Sequence, residues 1–257
     1  MCVRYVLASK PGAIEKEFQA EFQFQFRPVF NARFGLDLPV ITFEENKITA
    51  MRWGLLPYWS KAPDFKYKNI NAWSGDVVKN ALYRVPLRKH RCLVLANCYY
   101  EWIRTPDGRK QPHAIYFADQ RLFSMAGLWD EWIDRERRIS YHTFSILTTR
   151  ASKKLRKFTR TMPVIITPSR RRRYLRADLP LQNVTSMLRP LETDRVNLYP
   201  VSADINDLNA EHRGLVQPVG QRLFKEYVYK SKVYLKLEGM GSMKDNPDRT
   251  SVIKKIL

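Results

Sequence analysis

Short apolar runs of β character, separated by turn signals and without regular βαβ alternation, restrict this chain to a mainly antiparallel architecture. These runs are Cys2–Leu7, Val40–Phe43, Ile48–Trp53, Arg91–Leu95, Tyr99–Ile103, Ala114–Phe117, Leu122–Ala126 and His142–Thr148. Val40–Phe43 and Ile48–Trp53 read as a hairpin around Glu45–Lys47, and Pro106–Asp107–Gly108 as a turn. The spacing of Ile14, Phe18 and Phe22 predicts a helix from Pro11 to about Gln23, with proline at its first turn. Short helices are expected over Val77–Leu82, Ala151–Lys157 and Ser169–Arg176. The fold class is therefore α+β, with a curved, mainly antiparallel or barrel-like sheet and flanking helices in one domain over residues 1–236. From 237 to 257 the composition shifts to Gly, Ser, Lys, Asp and Pro, which predicts a flexible tail.

Charge narrows the function classes. Forty-five Lys and Arg against 25 Asp and Glu leave a net charge of +20, more than solubility requires. A polyanionic partner is implied, nucleic acid first and an anionic membrane surface second. Basic clusters stand at Arg84, Arg88, Lys89 and Arg91, at Lys153, Lys154, Arg156 and Lys157, and at Arg170 to Arg173. No apolar run approaches the roughly 20 residues of a membrane span, and no secretory signal opens the chain, so a cytoplasmic location is expected. The three cysteines, Cys2, Cys92 and Cys98, show no zinc spacing. Cys92 and Cys98 read as reduced core residues.

Cys2 directly follows the initiator Met1. Removal of Met1 would expose an α-amine and a thiol on adjacent carbons. An α-amine titrates near ~8, against roughly 10.4 for lysine, so much of it is nucleophilic at neutral pH. Such a 1,2-aminothiol can form a Schiff base with an aldehyde and close a thiazolidine ring through sulfur. It can also act as an N-terminal nucleophile on an amide. The plain alternative is a small residue that permits methionine removal.

Three segments can complete the chemistry. Asn71, in Asn69–Ile70–Asn71–Ala72–Trp73–Ser74, can orient a substrate hydroxyl or the α-amine, or can bond its own loop backbone. Glu101 lies among aromatics in Tyr99–Tyr100–Glu101–Trp102, where desolvation would raise its pKa toward acid/base use; otherwise it is a strand-end surface acid. The polar run Phe158–Thr159–Arg160–Thr161 leads into the apolar Met162–Pro163–Val164–Ile165–Ile166.

In order and spacing these segments resemble the SRAP family, the SOS-response-associated peptidase domain. The likeness extends over residues 2 to about 167 and is carried by seven stretches. They are Met1–Cys2 with Arg4, Trp53–Gly54–Leu55–Leu56–Pro57 with Trp59, Asn71–Ala72, Arg91–Cys92–Leu93–Val94 leading to Tyr100–Glu101–Trp102, Met125–Ala126–Gly127–Leu128–Trp129, Phe144 to Thr149, and Met162–Pro163–Val164–Ile165. The resemblance implies a protein that removes its own Met1 and then joins Cys2 to the ring-opened aldehyde of an abasic site in single-stranded DNA. It implies that Glu101 is the acid/base, that Asn71 positions the sugar and the N-terminus, and that Arg4 contacts phosphate. Trp53 and Trp59 could stack on bases beside the lesion, or pack in the core. Arg84, Arg88 and Arg160 are further candidates for DNA contact. No metal or cofactor is implied, and a monomer is expected.

The chain departs from the family pattern at Val3, where glycine is usual, and at Trp73 and Gly75, where an arginine and a glutamate are usual. Thr159 occupies the place of a family histidine and Thr161 that of an arginine. A threonine hydroxyl cannot exchange a proton near pH 7, so attenuated crosslinking is expected. Two other readings compete: an N-terminal-cysteine amidohydrolase or amidotransferase, and a non-catalytic basic protein that binds single-stranded nucleic acid.

Overall fold

The computed structural model describes residues 2–43, 46–63, 67–118 and 122–225. Strand β1 (Tyr5–Leu7) is followed by helix α1 (Pro11–Phe18), β2 (Glu21–Phe22), β3 (Val29–Ala32), and the hairpin β4 (Asp37–Ile41) and β5 (Lys47–Trp53). Next come β6 (Asn71–Trp73), α2 (Arg84–Lys89), β7 (Arg91–Ala96), β8 (Cys98–Arg104), β9 (Lys110–Phe117), β10 (Phe123–Asp134) and β11 (Ile139–Arg150). The chain ends its described part with β12 (Thr161–Pro163), β13 (Ile165–Ile166), α3 (Pro168–Leu175), α4 (Leu181–Met187) and β14 (Val196–Pro200).

The strands form two sheets. The smaller has the order β14-β9-β8-β1-β3, and its pairings are antiparallel. The larger runs β12-β11-β10-β7-β4-β5-β2 and closes on itself, because β11 also pairs with β5 in parallel at Thr143–Arg52 and Phe144–Trp53. A five-stranded barrel of β4, β5, β7, β10 and β11 results, an α+β body with few helices. Closure removes free strand edges. Gly54 lets the chain leave the barrel at φ +123°, where a side chain would strike the ring of Phe34.

Alternation along β7 and β8 separates the cores. Cys92, Val94 and Ala96 pack in one cluster with Cys2, Tyr5, Trp53 and Tyr99. Leu93 and Leu95 face a second cluster with Leu87 and Tyr174. On β8, Tyr99 and Ile103 join the Cys2 cluster, whereas Cys98 and Tyr100 face a third with Tyr116 and Tyr199.

Local corrections have local causes. Strand β1 begins at Tyr5 rather than Cys2, although the Tyr100 N–H donates to the Arg4 carbonyl at 3.0 Å and ties down the leading segment. Helix α1 stops at Phe18 because Gln19 turns left-handed at φ 52°, and Phe22 joins β2 instead. The Val77–Leu82 segment is a series of turns; the Asn80 side chain accepts the Leu82 N–H and competes with helix. Ala151–Lys157 likewise forms turns, with the Lys153 N–H donated to the Glu192 carboxylate. Glu45 in the expected hairpin turn and the tail boundary at 236 lie outside the described residues.

Candidate active site around Cys2

Cys2 is 1% exposed, and its Sγ lies 3.8 Å from the Arg4 carbonyl. Burial pushes its thiol up to about 12; the Glu101 charge adds to the rise, and the chain's α-ammonium group and the Arg4 hydrogen bond oppose it. The thiol is therefore neutral at physiological pH. Asn71 opens β6, which is paired in parallel to β11 at Ile146. Its Nδ2 donates to the Cys2 carbonyl at 2.7 Å. The Asn71 Oδ1 is buried without a partner.

Glu101 sits in the middle of β8, two residues beyond Tyr99 and so on the same strand face. Desolvation raises its carboxyl above the ordinary 4.5, against the opposing α-ammonium charge and a hydrogen bond with Thr159. The direction matches the desolvated reading of the sequence rather than the surface-acid one. Thr159 also donates to the Thr161 carbonyl at 3.2 Å. The structure thus brings Cys2, Asn71, Glu101 and Thr159 to one place from four distant parts of the chain.

Two residues escaped the sequence reading. The hydroxyls of Tyr5 and Tyr99 are buried with no hydrogen-bond partner. Burial keeps both phenols protonated, well above their ordinary pKa. The period-two offset of Tyr99 from Glu101 was the available signal. Trp53 is a correction: it has no exposed surface, its Nε1 donates to the Ile70 carbonyl at 2.9 Å, and its ring stacks on Phe144. It forms part of the core around Cys2 and presents no face to a base. Trp59, by contrast, is 56% exposed in the loop after Pro57.

A model of the SOS response associated peptidase (SRAP) family matches residues 1–208. The chain belongs to the SRAP family. It is 30% identical over 213 residues to the abasic site processing protein YoqW of Bacillus subtilis (strain 168), covering 80% of this chain and 94% of that one. It is 32% identical over 186 residues to the abasic site processing protein HMCES of Xenopus tropicalis, covering 63% of this chain and 55% of that protein. A crystal structure of a protein from Bacteroides thetaiotaomicron superposes with a TM-score of 0.74 at 24% identity, over 80% of this chain and 97% of that one, and shares the fold.

Around the Cys2 site of this SRAP chain, the charged residues divide sharply. Arg4 Nη1 donates to Asn31 Oδ1 at 2.6 Å, and Asn31 in turn bonds the carbonyls of Asp207 and Ala210. Arg4 lines a pocket of about 310 Å³ with Val3, Arg33, Phe34, Trp102 and Leu208. Arg160 is exposed beside Thr159. Arg84 and Arg88 are exposed on α2, which covers the face of β7 that carries Leu93 and Leu95. The sheet separates them from the Cys2 thiol.

Arg91 does not belong to any surface cluster: it is 1% exposed. Its guanidinium donates to the carbonyls of Leu87, Arg88, Tyr174 and Arg176 at the ends of α2 and α3. Four orphan carbonyls are satisfied by one cation where helix dipoles favour positive charge. Arg171 is also withdrawn, ion-paired to Glu17 at 3.0 Å and stacked on Phe18. Lys154 and Lys157 lie over the Phe224 ring. Among the described residues no cluster of three or more His, Cys, Asp and Glu side chains could hold a metal ion, and no helix is long and apolar enough to cross a membrane.

Proposed function

We propose that this protein processes abasic sites in single-stranded DNA by removing Met1 and forming a thiazolidine between Cys2 and the lesion. The observation that carries the reading is the convergence of Cys2, Asn71 and Glu101 in a chain whose SRAP relatives are named for abasic site processing.

Hydrolysis of the Met1–Cys2 bond consumes one water and frees the Cys2 amine. Glu101, whose carboxyl burial raises above its ordinary value, is suited to accept and return the proton. The thiol is too basic to lead, so the amine attacks first. It adds to C1′ of the ring-opened sugar, and the carbinolamine loses water to give an imine. The thiol then adds to the imine carbon as its proton passes through Glu101 to nitrogen, closing the five-membered ring. One aldehyde and one aminothiol yield one thiazolidine and one water. Asn71 holds the reacting residue through its carbonyl. Arg4, Arg160 and the exposed Trp59 supply phosphate contact and stacking without sequence preference. On this reading the protein is DNA-associated and needs no cofactor.

The test is denaturing electrophoresis of the protein with single-stranded DNA bearing one abasic site, alongside intact mass. A Cys2-dependent shifted band on a protein lacking Met1 establishes the covalent reaction. A free Cys2 without a band overturns it in favour of DNA binding alone or of amide hydrolysis.

A further inference from the structure

Formation of the imine places a growing negative charge on the aldehyde oxygen, and a hydrogen-bond donor aimed at that oxygen lowers the barrier. The donors around Cys2 can be counted. The Asn71 amide nitrogen is bonded to the Cys2 carbonyl. The Thr159 hydroxyl is engaged with the Thr161 carbonyl and with Glu101. Among the described residues of this core cluster, the Tyr5 and Tyr99 hydroxyls are buried, have a proton to donate and bond no protein group.

The two tyrosines stand opposite one another across β1 and β8, on the same sheet face and in the same core cluster. Tyr5 packs against the Trp53 ring, with ring centroids 5.3 Å apart, whereas Tyr99 stands two residues from Glu101 on β8. Tyr99 shares its strand face with Glu101 and packs in the same cluster as Cys2. Its side chain has no exposed surface, and burial keeps the phenol protonated. A buried hydroxyl that bonds no other group of the protein is uncommon and is found at catalytic sites among other places.

We propose that the Tyr99 hydroxyl is a further catalytic group, donating a hydrogen bond to the aldehyde oxygen of the bound lesion in the role that Thr159 cannot fill. The inference rests on the abasic-site reading. As the Cys2 nitrogen adds to C1′, the carbonyl electron pair moves onto oxygen and is met by the Tyr99 O–H. Glu101 takes the two amine protons in turn and returns each to the same oxygen, which departs as water. Tyr99 itself ends the step protonated.

Single-turnover adduct formation with excess abasic single-stranded DNA, on protein shown by mass to lack Met1, tests this. Tyr99→Phe should lower the maximal rate by about tenfold or more, with the half-saturating DNA concentration and the Tm unchanged, because the hydroxyl has no partner to lose. Adding Thr159→His should recover rate by supplying another donor. A Tyr99→Phe rate within twofold of wild type overturns the proposal and leaves the function intact. A loss of rate that follows a fall in Tm or weaker DNA binding overturns it as well, as does a double variant as slow as Tyr99→Phe alone. Wild-type protein that forms no adduct overturns the abasic-site reading and this proposal together.

Discussion

The side-chain amide of Asn71 donates to the carbonyl oxygen of Cys2 at 2.7 Å, joining positions 69 residues apart. Asn71 is itself held by β11 through the Ile146 register, so the Cys2 backbone is referenced to the barrel. Precise placement of the amine is worth more than its intrinsic reactivity, since near-attack geometry removes much of the entropic barrier.

Asn71→Ala should therefore slow adduct formation by roughly tenfold, the equivalent of one lost hydrogen bond. Because Asn71 also carries an unpartnered Oδ1, little stability should be lost with it. Single-turnover rates compared with Tm check both parts.

Glu101→Gln should raise Tm at pH 7 to 8 while suppressing the chemistry. Burial holds the folded carboxyl above its ordinary value, so folding favours the protonated form. That stabilisation is complete below the unfolded-state pKa and is lost as pH rises through the folded one. The variant escapes the loss, at roughly 2–4 °C per kcal/mol for a domain of this size. The gap should shrink on acidification toward pH 4, which thermal scans across pH will show.

Trp53 at the end of β5 and Trp59 in the loop that follows should separate cleanly. Trp53→Ala should cost about 3–5 kcal/mol of stability, the usual range for a buried aromatic truncation. Trp59→Ala should leave stability near wild type and weaken single-stranded DNA binding by about 1–3 kcal/mol. Chemical denaturation and fluorescence anisotropy distinguish them.

Arg91→Met should destabilise the protein by on the order of 3 kcal/mol, because four carbonyls at helix ends lose their donor. Its salt dependence of DNA binding should match wild type. Arg160→Ala should do the reverse, reducing the log–log salt slope by roughly 0.7 if it meets one phosphate.

Residue types and their order made much of the site legible. Cys2 behind Met1, Asn71, Glu101 among aromatics and the Thr159 loop were each visible, and the structure brings them together. The strands were legible too, because an apolar run of β-branched and aromatic residues has few other places to go. Helices were read less well where the Asn80 side chain binds a backbone N–H that a helix would have used.

By itself the sequence determined an α+β chain of strongly basic charge, with a cysteine directly behind Met1 and a carboxylate among aromatic neighbours. Those properties belong to residue identity and local periodicity. Only the tertiary structure decided that β5 and β11 close the barrel, that Trp53 and Arg91 turn inward, and that Tyr99 stands beside Glu101 with an unspent donor. Side-chain chemistry is the same for a buried and an exposed arginine or tryptophan. Their fate depends on which long-range strand pairings form, and that is a property of the whole packed chain.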